Sequence, residues 1–283
     1  MGCRCTLLQR MERKIPRGEL WISGELLREL GMEQTQESLI SLCADIGVDI
    51  CFLSYTGPVQ SIPVYSGEMS LLIKKAHALG LICGVTVDGP FERTTREHGF
   101  LEVIKWFYDP ARLREQLERN AALAIDELTA ADSAGADLLI LCDDVAYNRG
   151  LYFSPEHFKS ILLPLYRKLK KAIRGSKLVG FHSDGNVASI IALLAKEGYS
   201  IFSLEPEAMP LADLCRRLPE NILILSGIKA EWLMGPDPGN DETEEMIRYI
   251  TDLKNRCRLI LASSCGLSDV RSLERLKKIY KLV

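Results

Sequence analysis

The 283-residue chain has no apolar run long enough to cross a bilayer. Stretches such as residues 189–195 fall far short of the ~20 residues a spanning helix needs. It has no basic stripe either, because 35 Lys and Arg stand against 38 Asp and Glu, giving 35 − 38 = −3. That balance argues against a grip on nucleic acid, and neither a nucleic-acid nor a membrane partner is expected. No Gly-x-Gly-x-x-Gly follows the first strand-like segment, so one mark of an open dinucleotide-binding sheet is missing. No Gly/Ser/Pro linker, short-period repeat or low-complexity tract interrupts the chain. A single domain over residues 1–283 is expected, with residues 1–45 as an N-terminal extension packed on it.

Cysteine is present without a disulfide pattern. There are nine, an odd number at irregular spacings, and no secretory apolar segment precedes them. A reducing, cytoplasmic setting with free thiols is expected. Cys51, Cys83 and Cys142 lie in apolar runs, where cysteine behaves as a small buried hydrophobe. The start, Met1-Gly2-Cys3-Arg4-Cys5-Thr6, matches a permissive lipidation pattern, and Cys3-x-Cys5 has metal-ligand types. A frayed terminus is the reading adopted for it.

What the chain does have is alternation. Seven strand-length apolar runs occur at residues 48–55, 81–87, 137–143, 177–183, 200–205, 222–228 and 258–265. Most are separated by helix-patterned segments. One helix is expected from Asp109-Pro110 to Gly135, with apolar residues at Leu113, Leu117, Ala121, Ile125 and Leu128. Another starts at Ser154-Pro155, kinked by Pro164, and a third runs from Gly185-Asn186 to Gly198. Strand–helix alternation implies right-handed crossovers and a parallel sheet. Seven or eight such units in this length favour a closed (β/α)8 TIM-type barrel. The eighth strand is expected at residues 19–23 or 61–65.

In a barrel, polar residues at the C-terminal ends of strands face the active site. Six of the runs end in polar residues or glycine: Asp88-Gly89-Pro90, Asp143-Asp144, His182-Ser183-Asp184-Gly185-Asn186, Glu205-Pro206, Ser226-Gly227 and Ser263-Ser264-Cys265-Gly266. His182 and Asp184 are two apart, so they share a face with Gly180. An imidazole, a thiolate and one or two carboxylates make a zinc-type donor set, from His182, Asp184, Glu205 and Cys265. Each also has a structural reading: a satisfied strand-end histidine, a core cysteine, a loop carboxylate. Of the other histidines, His77 is expected on an exposed helix face, His98 in a loop and His157 in a helix's first turn.

Several of these segments together resemble the uroporphyrinogen decarboxylase-like superfamily. They are Gly89-Pro90-Phe91, then Asp143-Asp144 with Gly150-Leu151 and Ser154-Pro155-Glu156-His157-Phe158, then Phe181-His182-Ser183-Asp184-Gly185-Asn186, and finally Ser226-Gly227-Ile228 and Ser263-Ser264-Cys265-Gly266. The resemblance implies a (β/α)8 barrel and one of two activities. One branch decarboxylates a porphyrinogen without cofactor, and its arginine-bearing N-terminal signature is absent here. The region reads Gly18-Glu19-Leu20-Trp21-Ile22-Ser23-Gly24-Glu25 instead, so a carboxylate-rich substrate would lack cationic partners. The other branch comprises cobalamin-dependent methyltransferases that carry zinc.

Similarity to that second branch implies zinc at His182, Glu205 and Cys265, which would also be the catalytic residues. Asp184 stands where the branch has a cysteine, and Asp can bind zinc. It further implies methylcobalamin (corrinoid) on a partner protein, a small methylated or methyl-accepting substrate, and a pocket shaped by Asp88, Asp143, Tyr147 and Asn186. Asn186 has an alternative role as a helix N-cap. Two other functions stay open: the cofactor-free decarboxylase, and a non-catalytic corrinoid- or metal-binding barrel.

Overall fold

The structure, a computed structural model, describes residues 7, 11–55, 68–173, 177–237 and 239–283. Eight parallel strands form the barrel: β1 (Gly18–Glu19), β2 (Ile50–Ser54), β3 (Ile82–Asp88), β4 (Leu138–Cys142), β5 (Leu178–His182), β6 (Ile201–Ser203), β7 (Leu223–Ile228) and β8 (Arg258–Ser263). Each pairs with the next in chain order. The ring closes where Arg17 bridges Leu261 and Leu261 N–H donates to Pro16 O at 2.8 Å. All seven expected runs are strands, and the eighth comes from the 18–23 region. The rival segment at 61–65, like Cys3 and Cys5, lies outside the described residues. Within the 1–45 segment, Gly18–Glu19 is part of the barrel wall itself, since Gly18 pairs with Ile50 and Glu19 with Cys51.

The principal helices wrap the ring: α1 (Gln36–Ile46), α2 (Met69–Ala78), α3 (Pro90–His98), α4 (Pro110–Ala134), α5 (Leu163–Ala172), α6 (Ala188–Lys196), α7 (Leu211–Cys215), α8 (Asn240–Arg256) and α9 (Val270–Leu282). Pro110 opens α4 at its first position and Gly135, at φ +104°, ends it, as the sequence implies. His98 is the last residue of α3 rather than a loop residue. Ahead of Pro164 the chain forms a π-helical turn over Phe158–Leu162. Proline has no N–H to offer and its ring crowds the carbonyl four residues earlier, so the preceding turn widens. Among the described residues, no helix is long and apolar enough to cross a membrane.

Strand parity divides the core into two. Ile50, Phe52, Ile82, Leu138, Ile140, Leu178, Ile201, Leu223, Leu225 and Ile260 fill the barrel interior. Their neighbours Cys51, Cys83, Leu139, Val179, Phe181, Phe202 and Ile224 face the helices. Gly180 falls on the interior set. A Cβ there would sit 2.3 Å from Ile140 Cδ1 and 3.0 Å from Ile201 Cβ, so only glycine fits without displacing them. His182, two residues on, therefore enters the same interior at its open end.

Candidate metal and substrate site

The C-terminal ends of the strands open into a cavity of about 490 Å³. His182, Asp184, Glu205, Cys265 and Asp88 all line it. Their placement follows from parity. In β4 the interior residues are Leu138, Ile140 and Cys142, so the next inward position is Asp144. The register Cys142↔His182 then sets Asp144 beside Asp184.

The result is a compact donor cluster. Asp144, His182 and Asp184 offer one ligand atom each, all within 4.8 Å of one another, and no other such group occurs among the described residues. His182 Nδ1 shares a 3.0 Å hydrogen bond with Ser203 Oγ, its register partner on β6. That contact fixes the ring and leaves Nε2 toward the cluster, 3.6 Å from Asp184 Oδ1. Asp184 N–H donates to Asp144 Oδ1 at 2.8 Å, which ties the two loops together. Burial pushes the Asp184 carboxyl up to about 6; His182 opposes the shift, while Asp144 and Glu205 add to it. Its side chain is still 53% exposed at the cavity mouth, so solvent screens these charges.

Glu205 and Cys265 line the cavity but stand outside that cluster. The Glu205 carboxylate accepts from Gly185 N–H at 2.7 Å. Gly185, at φ +77°, is pressed against the backbone of Ala146 and Tyr147, and a Cβ would lie 2.6 Å from the Ala146 carbonyl carbon. The Cys265 thiol points to Gly266 O at 3.4 Å, and burial with nearby Glu19 pushes it up to about 11.

Three of the residues expected to shape the pocket are placed elsewhere, and one is engaged. Asp143 is fully buried and faces away from the cavity, because Cys142 and Asp144 face in. Its carboxylate accepts from Phe91 N–H, Glu92 N–H and the Tyr166 hydroxyl, capping the start of α3. Gly89 makes room for it, since a Cβ there would fall 2.3 Å from Asp143 Cγ. The Gly-Pro-Phe segment and the first aspartate of Asp-Asp thus form one packing motif. Tyr147 is half exposed and stacks on Tyr152 at 5.8 Å. Asn186 Oδ1 accepts from Ala188 N–H at 3.2 Å and steadies the entry to α6, close to its alternative capping role. Asp88 does line the cavity and takes a 2.7 Å ion pair from Arg96, which also reaches Glu92 at 3.2 Å.

The family model for uroporphyrinogen decarboxylase (URO-D) matches residues 60–283. The chain belongs to this family. Among solved structures, a methyltransferase from Methanosarcina mazei is similar with a TM-score of 0.78 at 18% identity, covering 100% of this chain and 98% of that one. A D-psicose 3-epimerase in the presence of D-fructose follows at 0.56 and 10% identity, covering 94% and 97%. A D-psicose 3-epimerase from Clostridium cellulolyticum H10, with D-tagatose, gives 0.55 and 11%, covering 87% and 91%. At these identities the likeness is one of fold. No curated protein matches the chain in sequence.

Two electrostatic features mark this URO-D member. The cavity is lined by five carboxylates (Asp88, Glu92, Asp144, Asp184, Glu205) and, among the described residues, by Arg96 as the arginine opposing them. The second feature is Glu19, buried at the β1–β8 seam. Its carboxylate accepts from Ser263 and from the Tyr280 hydroxyl at 2.9 Å. Burial outweighs these bonds and pushes Glu19 from 4.5 up to about 7. A raised carboxyl favours the protonated folded state, so its contribution to stability is complete below pH 4.5 and is lost as pH climbs through about 7. Glu19→Gln should remove that dependence. Urea unfolding of both proteins should show the variant gaining about 3 kcal/mol on the wild type between those limits. A constant difference across the range would contradict it.

Proposed function

We propose that this URO-D-family chain is a methyltransferase that moves a methyl group between a separate corrinoid protein and a small-molecule substrate, with zinc at the cavity cluster. The observation that carries the reading is the triad Asp144, His182 and Asp184, gathered at the open end of the barrel with the imidazole oriented by Ser203. One imidazole nitrogen and two carboxylate oxygens suit a divalent ion such as zinc. Glu205 and Cys265, which line the same cavity, are the further donors the resemblance implies. When bound, zinc supplies Lewis acidity, polarising a substrate heteroatom or lowering its pKa.

The rest belongs to the chain's own residues. Ser203 holds the His182 ring, Glu205 holds Gly185, and Asp184 holds Asp144. Trp21, Leu39 and Phe52 give the opposite side of the cavity an apolar wall that limits water around a bound substrate. Methyl transfer is an in-line displacement, so acceptor, methyl and donor must align, and the open mouth gives a partner's corrinoid access. The acidic cavity weighs against a polycarboxylate, because its Arg96 is already engaged by Asp88 and Glu92.

Metal analysis and a methyl-transfer assay test the reading together. Purified protein should retain about one divalent ion per chain and demethylate methylcobalamin or a methylated corrinoid protein when offered thiol, amine or phenol acceptors. Metal binding and corrinoid-protein capture without methyl transfer would point to a non-catalytic barrel. Turnover of uroporphyrinogen by the metal-free protein would replace the proposal.

A further inference from the structure

At the opposite end of the barrel, a second cavity of about 400 Å³ lies where β7 and β8 begin. Cys215, the last residue of α7, and Cys257, the residue after α8, both line it, and their sulfurs are in hydrogen-bond contact. Cys257 Sγ also lies 3.2 Å from Leu253 O. The contact is asymmetric. Hydrogen bonding from Cys257, with Arg256 nearby, holds the Cys215 thiol below its ordinary range, whereas Cys257 is pushed up. Two neighbouring thiols that open on one cavity can act in turn, Cys215 as the attacking sulfur and Cys257 as the resolving one.

The cavity also carries a cationic excess. Arg216 and Arg256 are paired with Asp213 and Asp252. Lys254 and Arg258 line it against a single lining carboxylate, Glu220. Cys43, Cys51 and Cys83 are sealed between barrel and helices and line neither cavity.

We propose that Cys215 and Cys257 form a thiol–disulfide exchange site that takes a small anionic disulfide. The Cys215 thiolate attacks one sulfur of that disulfide, forming a mixed disulfide and expelling a thiolate. Cys257 then gives up its proton to solvent and attacks the Cys215 sulfur, expelling the second thiolate. The protein loses two electrons and two protons, and the small disulfide becomes two thiols.

Full-length protein is treated anaerobically with oxidised glutathione, quenched with N-ethylmaleimide and mapped by peptide mass spectrometry. The wild type should yield a Cys215–Cys257 cross-link. Cys257→Ser should stop at a glutathionyl adduct on Cys215, and Cys215→Ser should leave Cys257 unmodified. At low salt, oxidised glutathione should react roughly fivefold faster than the dication cystamine, with the gap closing at high salt. No cross-link in folded wild type, or an equal adduct on Cys257 in Cys215→Ser, would overturn the exchange site. Cystamine reacting as fast as oxidised glutathione would overturn its anionic preference. If a serine variant does not fold, the wild type decides alone. Its melting temperature should rise on oxidation and fall back with dithiothreitol, and an unchanged value would count against the cross-link.

Discussion

His182→Ala should weaken zinc binding by more than the roughly 10–100-fold that loss of an outer hydrogen-bond partner costs. The imidazole is the nitrogen donor of the Asp144–His182–Asp184 cluster, and alanine leaves two carboxylates 40 residues apart without the imidazole between them. Because Gly180 and Ile140 pack the interior beneath it, the substitution alters the site without opening the core. Calorimetric zinc titration of both proteins reads the effect. Ser203→Ala should fall inside that outer-partner range, since it frees the ring without removing a donor. Equal zinc affinity in wild type and His182→Ala would remove the metal centre, and the proposed methyl transfer with it.

Asp143→Ala should cost about 3–5 kcal/mol of stability. The carboxylate is buried between α3 and α5, and removing it leaves the N–H groups of Phe91 and Glu92 and the Tyr166 hydroxyl without their acceptor. Each buried orphan costs about 1–3 kcal/mol. Asn retains one acceptor oxygen, so Asp143→Asn should lose less than Asp143→Ala. Burial holds the Asp143 carboxyl up to about 7, against the pull of Tyr166 and the two N–H groups. Chemical denaturation at fixed pH measures the ranking. A loss below about 1 kcal/mol for alanine would mean the cap carries little of the fold.

The architecture was legible because its signals are local. Seven apolar runs of strand length, Pro110 and Gly135 around α4, and the glycine at 180 each follow from period, capping or close packing. The site was legible in part for the same reason, since His182, Asp184, Glu205, Cys265 and Asp88 sit at strand ends. The exchange between Asp143 and Asp144 shows where local reading stops. Both end the same strand, and only inward parity, counted from Leu138 and Ile140, assigns one to the cavity and the other to a helix cap. Tyr147 lies in a two-residue strand paired with Gly150–Leu151 outside the barrel, and Asn186 in a loop, so the barrel's parity reaches neither. Arg96 carries no local signal, because it is a helix residue whose partner, Asp88, lies on a strand.

The ring of strands is not equally strong all the way round. Its first member contributes only Gly18–Glu19, so the join with β8 relies on two isolated backbone bridges, Arg17 with Leu261 and Ile22 with Leu267, and on side chains: Glu19 to Ser263 and Tyr280, and Arg17 stacked over the Tyr280 ring at 4.4 Å. It works as a clasp, and it lies beside Trp21 and Cys265 on the wall facing His182. Ser263, which Glu19 holds, is itself part of the cavity lining, so the same buried carboxyl that fastens the ring also fastens the rim beside Cys265.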